Sequence, residues 1–153
     1  MDGKWDFIFV NHVLEHLDDQ QKFLKEIYKK LDNNGTCLVR IPTSSSYAWE
    51  HYRENWIQSD PPRHFYIHSI ESIRELVASS NLKIKEIIYD STAFQFIGSE
   101  QAIKGIHLNS NQSHIKNNNA NIFSKNEIQS FDKKAAELNK QMRGDQIAVI
   151  ITH

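Results

Sequence analysis

Apolar residues come in short blocks separated by polar helical patterns along this chain, and the spacing inside each block sets the element type. Residues 6–10, DFIFV, form a short β-rich run with no turn residue inside it. Such a run predicts a strand buried on both faces, as in a parallel sheet. Asp18 or Asp19 then caps a helix in which Phe23, Leu24, Ile27, Tyr28 and Leu31 recur at helical spacing. The segment Asp32-Asn33-Asn34-Gly35 ends it, with Gly35 available for a left-handed C-terminal position. TCLVRI at 36–41 is the next strand, stopped by Pro42. Strand, helix and strand read together as one βαβ unit.

Residues 43–68 are irregular and rich in Trp, Tyr, Arg and His, and loops of this length inside a domain tend to be functional. Ser69 caps a helix carrying Ile70, Ile73, Leu76 and Val77; Asn81 ends it, and a strand follows at 82–90. From 98 to 123 the chain is polar and reads as a surface excursion, with Ile106, Leu108, Ile122 and Phe123 able to pin its ends. Ser124 and Glu127 form a capping box for a helix that runs to about Arg143 and is closed by Gly144. QIAVIIT at 146–152 is a last strand, apolar enough to be central. The expected architecture is α/β, a single domain over 1–153 with four strands and three main helices.

Composition adds little. Eighteen Lys and Arg are interspersed with nineteen acids for a net charge of −1, so no field gathers nucleic acid or an anionic membrane. One cysteine, Cys37, excludes an internal disulfide. The chain has no apolar stretch of membrane-spanning length and no signal-peptide pattern at its N-terminus. The expectation is a soluble cytoplasmic protein.

In open α/β sheets ligands bind beyond the carboxyl ends of the strands. That rule selects Asn11-His12-Val-Leu-Glu15-His16 after the first strand and Thr43-Ser44-Ser45 after the second. WDFIFVNHVLEHLDD with its helix and NNGTCLVRIP resembles the fourth and fifth strands of class I S-adenosylmethionine-dependent methyltransferases. DPPRHFYIHSIESIRELVASSNLKI is similar to the segment before the sixth strand of that family, and GDQIAVIIT to its antiparallel seventh. The resemblance implies a partial Rossmann-like methyltransferase sheet, the fourth to seventh strands with flanking helices.

It also implies roles. Asn11 and His12 match positions facing the methionine end of the cofactor, S-adenosylmethionine. Arg63, His64 and His68 match the substrate-side segment, 43–68, with His64 the candidate general base; Glu15 and His16 stand on the same side. In ubiquinone-type O-methyltransferases, to which this segment is similar, an acid and a histidine here help hold a divalent metal. Two ligands at this spacing signal a metal weakly, so Glu15 and His16 are expected in a solvated turn or bonded to 43–48, and no metal ligand is assigned. Trp49, Tyr52 and Trp56 fit one face of a short helix on the core better than an acceptor pocket. Cys37 is expected to be a buried small hydrophobe.

The family's Gly-rich turn has no counterpart, since the five glycines (3, 35, 98, 105 and 144) are isolated. The chain matches the family from its fourth strand onward, which makes Met1 an internal methionine, a misplaced start or the start of a remnant. In the family the fourth strand pairs with the first. DFIFV is therefore expected to be an open apolar edge, covered by a second copy in a homodimer. The implied function is methyl transfer by direct displacement to a small-molecule or saccharide-linked acceptor, with little or no cofactor binding by this chain alone. The alternative is a non-catalytic remnant or interaction module.

Overall fold

The structure is a computed structural model and describes residues 3–117 and 120–153. Met1, and Asn118 and Asn119 of the polar excursion, lie outside the described residues. The chain divides into two compact units: residues 1–45, 61–88 and 146–153 form the first, and residues 46–60 and 89–145 the second.

The first unit holds a sheet in the order β1-β2-β4-β3, with β1 at Trp5–Asn11, β2 at Leu31–Pro42, β3 at Lys83–Tyr89 and β4 at Gln146–Thr152. β1 and β2 run parallel, with Phe7 opposite Thr36 and Asn11 opposite Arg40. β4 runs antiparallel to β2, placing Gln146 opposite Pro42 and Ile151 opposite Cys37. The carboxyl ends of β1 and β2 and the first residue of β4 therefore share one rim. Leu24 and Ile27 of helix α1 (Gln20–Lys30) and Ile73 and Val77 of helix α3 (Ile70–Ser79) are buried with Val39, Ile147 and Val149. Asp19 caps α1, accepting a hydrogen bond from the Lys22 N–H at 2.9 Å. Ser69 caps α3, accepting from the Ser72 N–H at 3.1 Å.

Three local expectations are corrected. β1 is not buried on both faces: Trp5, Phe7 and Phe9 are more than half exposed and only Val10 is buried. Alternate residues share one face of a strand, so these three rings form a bare stripe on an edge strand, with β2 its one neighbour among the described residues. Gly35 is not a helix cap but lies within β2, where the chain passes so close to its neighbours that a Cβ would meet the Trp5 carbonyl oxygen at 2.8 Å. The left-handed residue after the 125–140 helix is Met142, with φ 56°, rather than Gly144. Gly144 is instead required by close approach of the Asn139 and Ser91 side chains.

The second unit contains helices α2 (Tyr47–Tyr52), α4 (Phe94–Ile103) and α5 (Lys125–Lys140). Besides the three main helices expected from the sequence, α2 is the short helix on which Trp49 and Tyr52 were expected, and α4 is additional. Trp56, 1% exposed, donates from Nε1 to Asp145 Oδ2 at 3.0 Å, and the Tyr52 hydroxyl donates to Glu100 at 2.9 Å. Burial with this bond pushes the Tyr52 phenol well above its ordinary range. The aromatic residues of the 43–68 stretch thus include core residues of this unit. The excursion expected at 98–123 begins inside α4, and its Gln101 and Ser113 are fully buried, joined by a 3.0 Å hydrogen bond. Phe123 is buried as well. The capping box of α5 forms between Ser124 and Glu127. Among the described residues no helix is long and apolar enough to cross a membrane.

Candidate functional site

β1 ends at Asn11, which is exposed, and the chain turns at once through His12, whose φ of 50° is left-handed. A residue other than glycine is held there only when its surroundings fix it. Three bonds do so here. The His12 N–H donates to the Arg40 carbonyl at 3.0 Å; its Nδ1 lies 3.0 Å from Glu15 Oε1, and its Nε2 lies 2.9 Å from Gln146 Oε1. The bond to the Glu15 carboxylate, first among the causes, holds the His12 imidazole above its ordinary pKa, although burial pulls the other way. Gln146 is the residue that sequence reading missed. Its position as the first residue of the last strand was the available signal, and the antiparallel register of β4 brings it to His12.

Leu14–His16 form a single 3₁₀ turn. Within it Glu15 is 1% exposed, so the expectation of a solvated turn is overturned, and its bonds run elsewhere than to 43–48. Its Oε1 meets His12, its backbone carbonyl accepts from the Phe65 N–H at 2.8 Å, and its Oε2 is buried without a hydrogen-bond partner. His16 is exposed and its Nδ1 donates to the Arg63 carbonyl at 2.8 Å. The His64 ring stands edge-on to the His16 ring, with centroids 4.7 Å apart. Two backbone-anchored bonds therefore stitch residues 63–65 to the turn after β1.

His68 lies apart from this cluster. Thr43 Oγ1 and the Ser44 N–H both donate to its carbonyl, at 2.9 and 3.0 Å, closing the base of the 43–68 excursion. Its ring spans Ser72 Oγ at 2.9 Å and Gln20 Oε1 at 2.7 Å, joining the start of α1 to α3. Burial lowers its pKa, favouring the neutral ring, with Nε2–H donating to Gln20 Oε1 and Nδ1 hydrogen-bonded to the Ser72 hydroxyl. Gln20 in turn donates to the Leu14 carbonyl at 2.6 Å. Arg63 is exposed, and what it adds to the cluster is its backbone carbonyl. Cys37, fully buried, has its thiol pushed up to about 12 by burial and is no nucleophile.

Of the residues singled out in the sequence, the fold brings Glu15, His16 and His64 into one cluster, braced by His12 and by the Arg63 carbonyl. Asn11 is left open at the strand end and His68 is held between two helices. The fit to the cofactor that the family implies is divided accordingly. Both ring nitrogens and the N–H of His12 are engaged, so His12 shapes the rim, while Asn11 presents an exposed amide there.

Residues 1–87 match a sequence family described as a methyltransferase domain. Among solved structures, the chain is similar to an S-adenosylmethionine-dependent methyltransferase of Archaeoglobus fulgidus, with 18% identity, TM-score 0.54 and coverage of 99% of this chain and 61% of that one. A second such enzyme, from Thermotoga maritima, matches at 16% identity and TM-score 0.54, covering 99% of this chain and 56% of that one. A mycolic acid cyclopropane synthase, solved with S-adenosylhomocysteine, matches at 13% identity and TM-score 0.53, covering 100% of this chain and 57% of that one. No curated protein matches the sequence. The chain spans little more than half the length of these solved structures, and at such identity they establish the fold alone. With more than half its residues inside the methyltransferase domain and its sheet built in the Rossmann-like manner, this chain belongs to the class I S-adenosylmethionine-dependent methyltransferase family.

Proposed function

We propose that this chain is the acceptor-side half of an S-adenosylmethionine-dependent methyltransferase. Asn11 faces the methionine part of the cofactor, and the segment bearing Arg63, His64 and His68 faces a small-molecule or saccharide-linked acceptor. The observation that carries this reading is the rim itself. An exposed Asn11 ends a parallel strand where α/β sheets bind ligands, and a strained His12 is locked behind it by Glu15 and Gln146.

The cofactor, when bound, supplies an electrophilic methyl carbon on a sulfonium. The chain's own residues would hold the acceptor in line with it, and alignment provides much of the rate. His64, half-buried beside the exposed His16, would take the acceptor proton, a reading supported by its position next to that ring. The exposed stripe of Trp5, Phe7 and Phe9 supports a second element of the proposal, that a second copy of the chain covers the β1 edge. The same stripe favours the alternative of a non-catalytic interaction module.

Titration of the isotopically labelled chain with S-adenosylhomocysteine, followed by amide chemical shifts, separates the two readings. The expected result is weak, non-saturating shifts confined to Asn11, His12 and Gln146, with no resolvable heat in calorimetry. An unchanged rim at millimolar ligand would leave the interaction module as the better account.

A further inference from the structure

We propose that two copies of the chain join antiparallel through β1, in the register that sets Phe7 opposite the partner's Phe7, and that each copy thereby brings its Lys4 to the other's rim. The two four-stranded sheets then become one of eight strands. This rests on the proposal that a second copy covers the β1 edge. It names what that proposal leaves open: which backbone groups meet, in which register, and what one copy adds to the site of the other.

Parity follows from the backbone. The His12 N–H donates to the Arg40 carbonyl at 3.0 Å, and Asn11 stands opposite Arg40 in the parallel ladder. The N–H and C=O of one strand residue point to the same side, and the side alternates along the chain. Asp6, Ile8 and Val10 therefore face β2, whereas Trp5, Phe7, Phe9 and Asn11 turn their backbone groups to the outer edge. That edge has no strand neighbour among the described residues. A closed pair presents the same edge twice about a two-fold axis, and identical edges then run antiparallel. Outward groups meet outward groups only when odd residues oppose odd ones, which removes every register displaced by one residue.

Side chains choose among the rest. Centred on Phe7, Trp5 opposes the partner's Phe9, and the bare stripe becomes three aromatic cross-strand pairs on one face. Sliding by two residues one way sets Asp6 against Asp6, and like charges directly opposite are destabilising. Sliding the other way sets Trp5 against Asn11 and loses an aromatic pair. Trp5, Phe7 and Phe9 are 51%, 57% and 53% exposed, and aromatic side chains bury 150–250 Å² each, so the stripe offers roughly 300 Å² per copy. A stable interface removes about 800 Å² per partner, so the opposite face of the strand has to be covered as well.

The Phe7 register does so with matched charges. A groove of about 360 Å³ lies beside the strand, where Phe23, Ile27, Glu26 and Lys30 of α1 stand next to Ile8. The partner's Asp6 falls opposite Ile8, on the face that carries Lys30; Glu26, the groove's acid, is already paired with Lys29 at 2.7 Å. The partner's Lys4 falls opposite Val10, at the end of β1 where Asp18 and Asp19 lead into α1. The partner's Gly3 lies opposite Asn11, so an ammonium stands one residue from the open amide of the rim and favours an anionic ligand group there.

The test mixes isotope-labelled and unlabelled wild-type chain at high micromolar concentration and reads isotope-filtered nuclear Overhauser spectra across the interface. In the Phe7 register Asp6 and the partner's Ile8 form a non-hydrogen-bonded pair with Cα atoms about 4.5 Å apart, so a cross-peak between their Hα protons is expected. With rising concentration the amides of Trp5, Phe7, Phe9 and Asn11 should gain protection from hydrogen exchange, while those of Asp6, Ile8 and Val10 stay unchanged. Lys4→Glu, at an exposed residue, should weaken association about twofold to fivefold. A cross-peak at another pair overturns the register and leaves the covered edge standing. A dimer whose edge amides are unchanged, or a chain that stays monomeric, overturns both. The methyl-transfer reading is tested separately, by the titration with S-adenosylhomocysteine, and none of these outcomes touches it.

Discussion

His12 and Glu15 form the bond on which the corner after β1 turns: Nδ1 lies 3.0 Å from Oε1, with the histidine side chain 33% exposed and the glutamate side chain 1%. A buried carboxylate is tolerated because a partner three residues earlier reaches it, and that partner reaches it because its backbone is left-handed. Removing the imidazole leaves both Glu15 oxygens without a bond, and an unsatisfied buried acceptor costs about 1–3 kcal/mol. His12→Ala should therefore lower stability by about 2 kcal/mol in urea denaturation. The His12→Ala, Glu15→Gln double variant should lose less than the sum of the two singles. Strict additivity would show that the pair is not coupled.

The pH dependence of stability contains a contribution from His68 with a definite sign. Burial lowers its folded-state pKa below the ordinary 6.5, while Glu15 opposes the shift weakly. Across that window the unfolded chain binds more protons, so this stabilisation is full above pH 6.5 and is lost as pH falls through the folded value. The groups facing the ring, Gln20 of α1, Ser72 of α3 and the stacked Tyr66, leave the sign unaltered near neutrality. Urea midpoints of wild type and His68→Gln between mildly acidic and neutral pH should converge on acidification. Divergence would contradict the assignment.

In the second unit, Trp56→Phe keeps an aromatic side chain, though a smaller one, and removes the indole N–H that reaches Asp145 Oδ2 at 3.0 Å, both residues being at most 2% exposed. Loss of a bond to a buried charged group costs about 1.5–3 kcal/mol. Thermal denaturation should show a drop of that size. A change below about 0.5 kcal/mol, the level of a surface substitution, would mean that Asp145 is satisfied without the indole.

The β1 edge supplies the last expectation. With Trp5, Phe7 and Phe9 bare, sedimentation velocity at high micromolar concentration should show self-association, and Phe7→Lys should shift the chain toward monomer without loss of helical signal. A wild-type chain that stays monomeric throughout would end the homodimer proposal.

The sequence by itself determined the elements whose signals are local. β4 emerges from its apolar run, α1, α3 and α5 from helical spacing and capping residues, and the parallel and antiparallel senses from a resemblance carried by short contiguous motifs. It also identified the polar corner after β1, because a strand that stops abruptly at a polar cluster marks the edge of a core. Helix α2 was foreshadowed by the spacing of Trp49 and Tyr52, whereas α4 was hidden, since it mixes buried polar side chains, Gln95, Ser99 and Gln101, with apolar ones. The tertiary structure alone decided which of the corner's groups meet. Gln146 reaches His12 only through the register of an antiparallel strand, and His64 reaches His16 only because two backbone bonds draw residues 63–65 across to the turn. Contacts of this kind join residues dozens of positions apart, where neither periodicity nor propensity carries information about the partner.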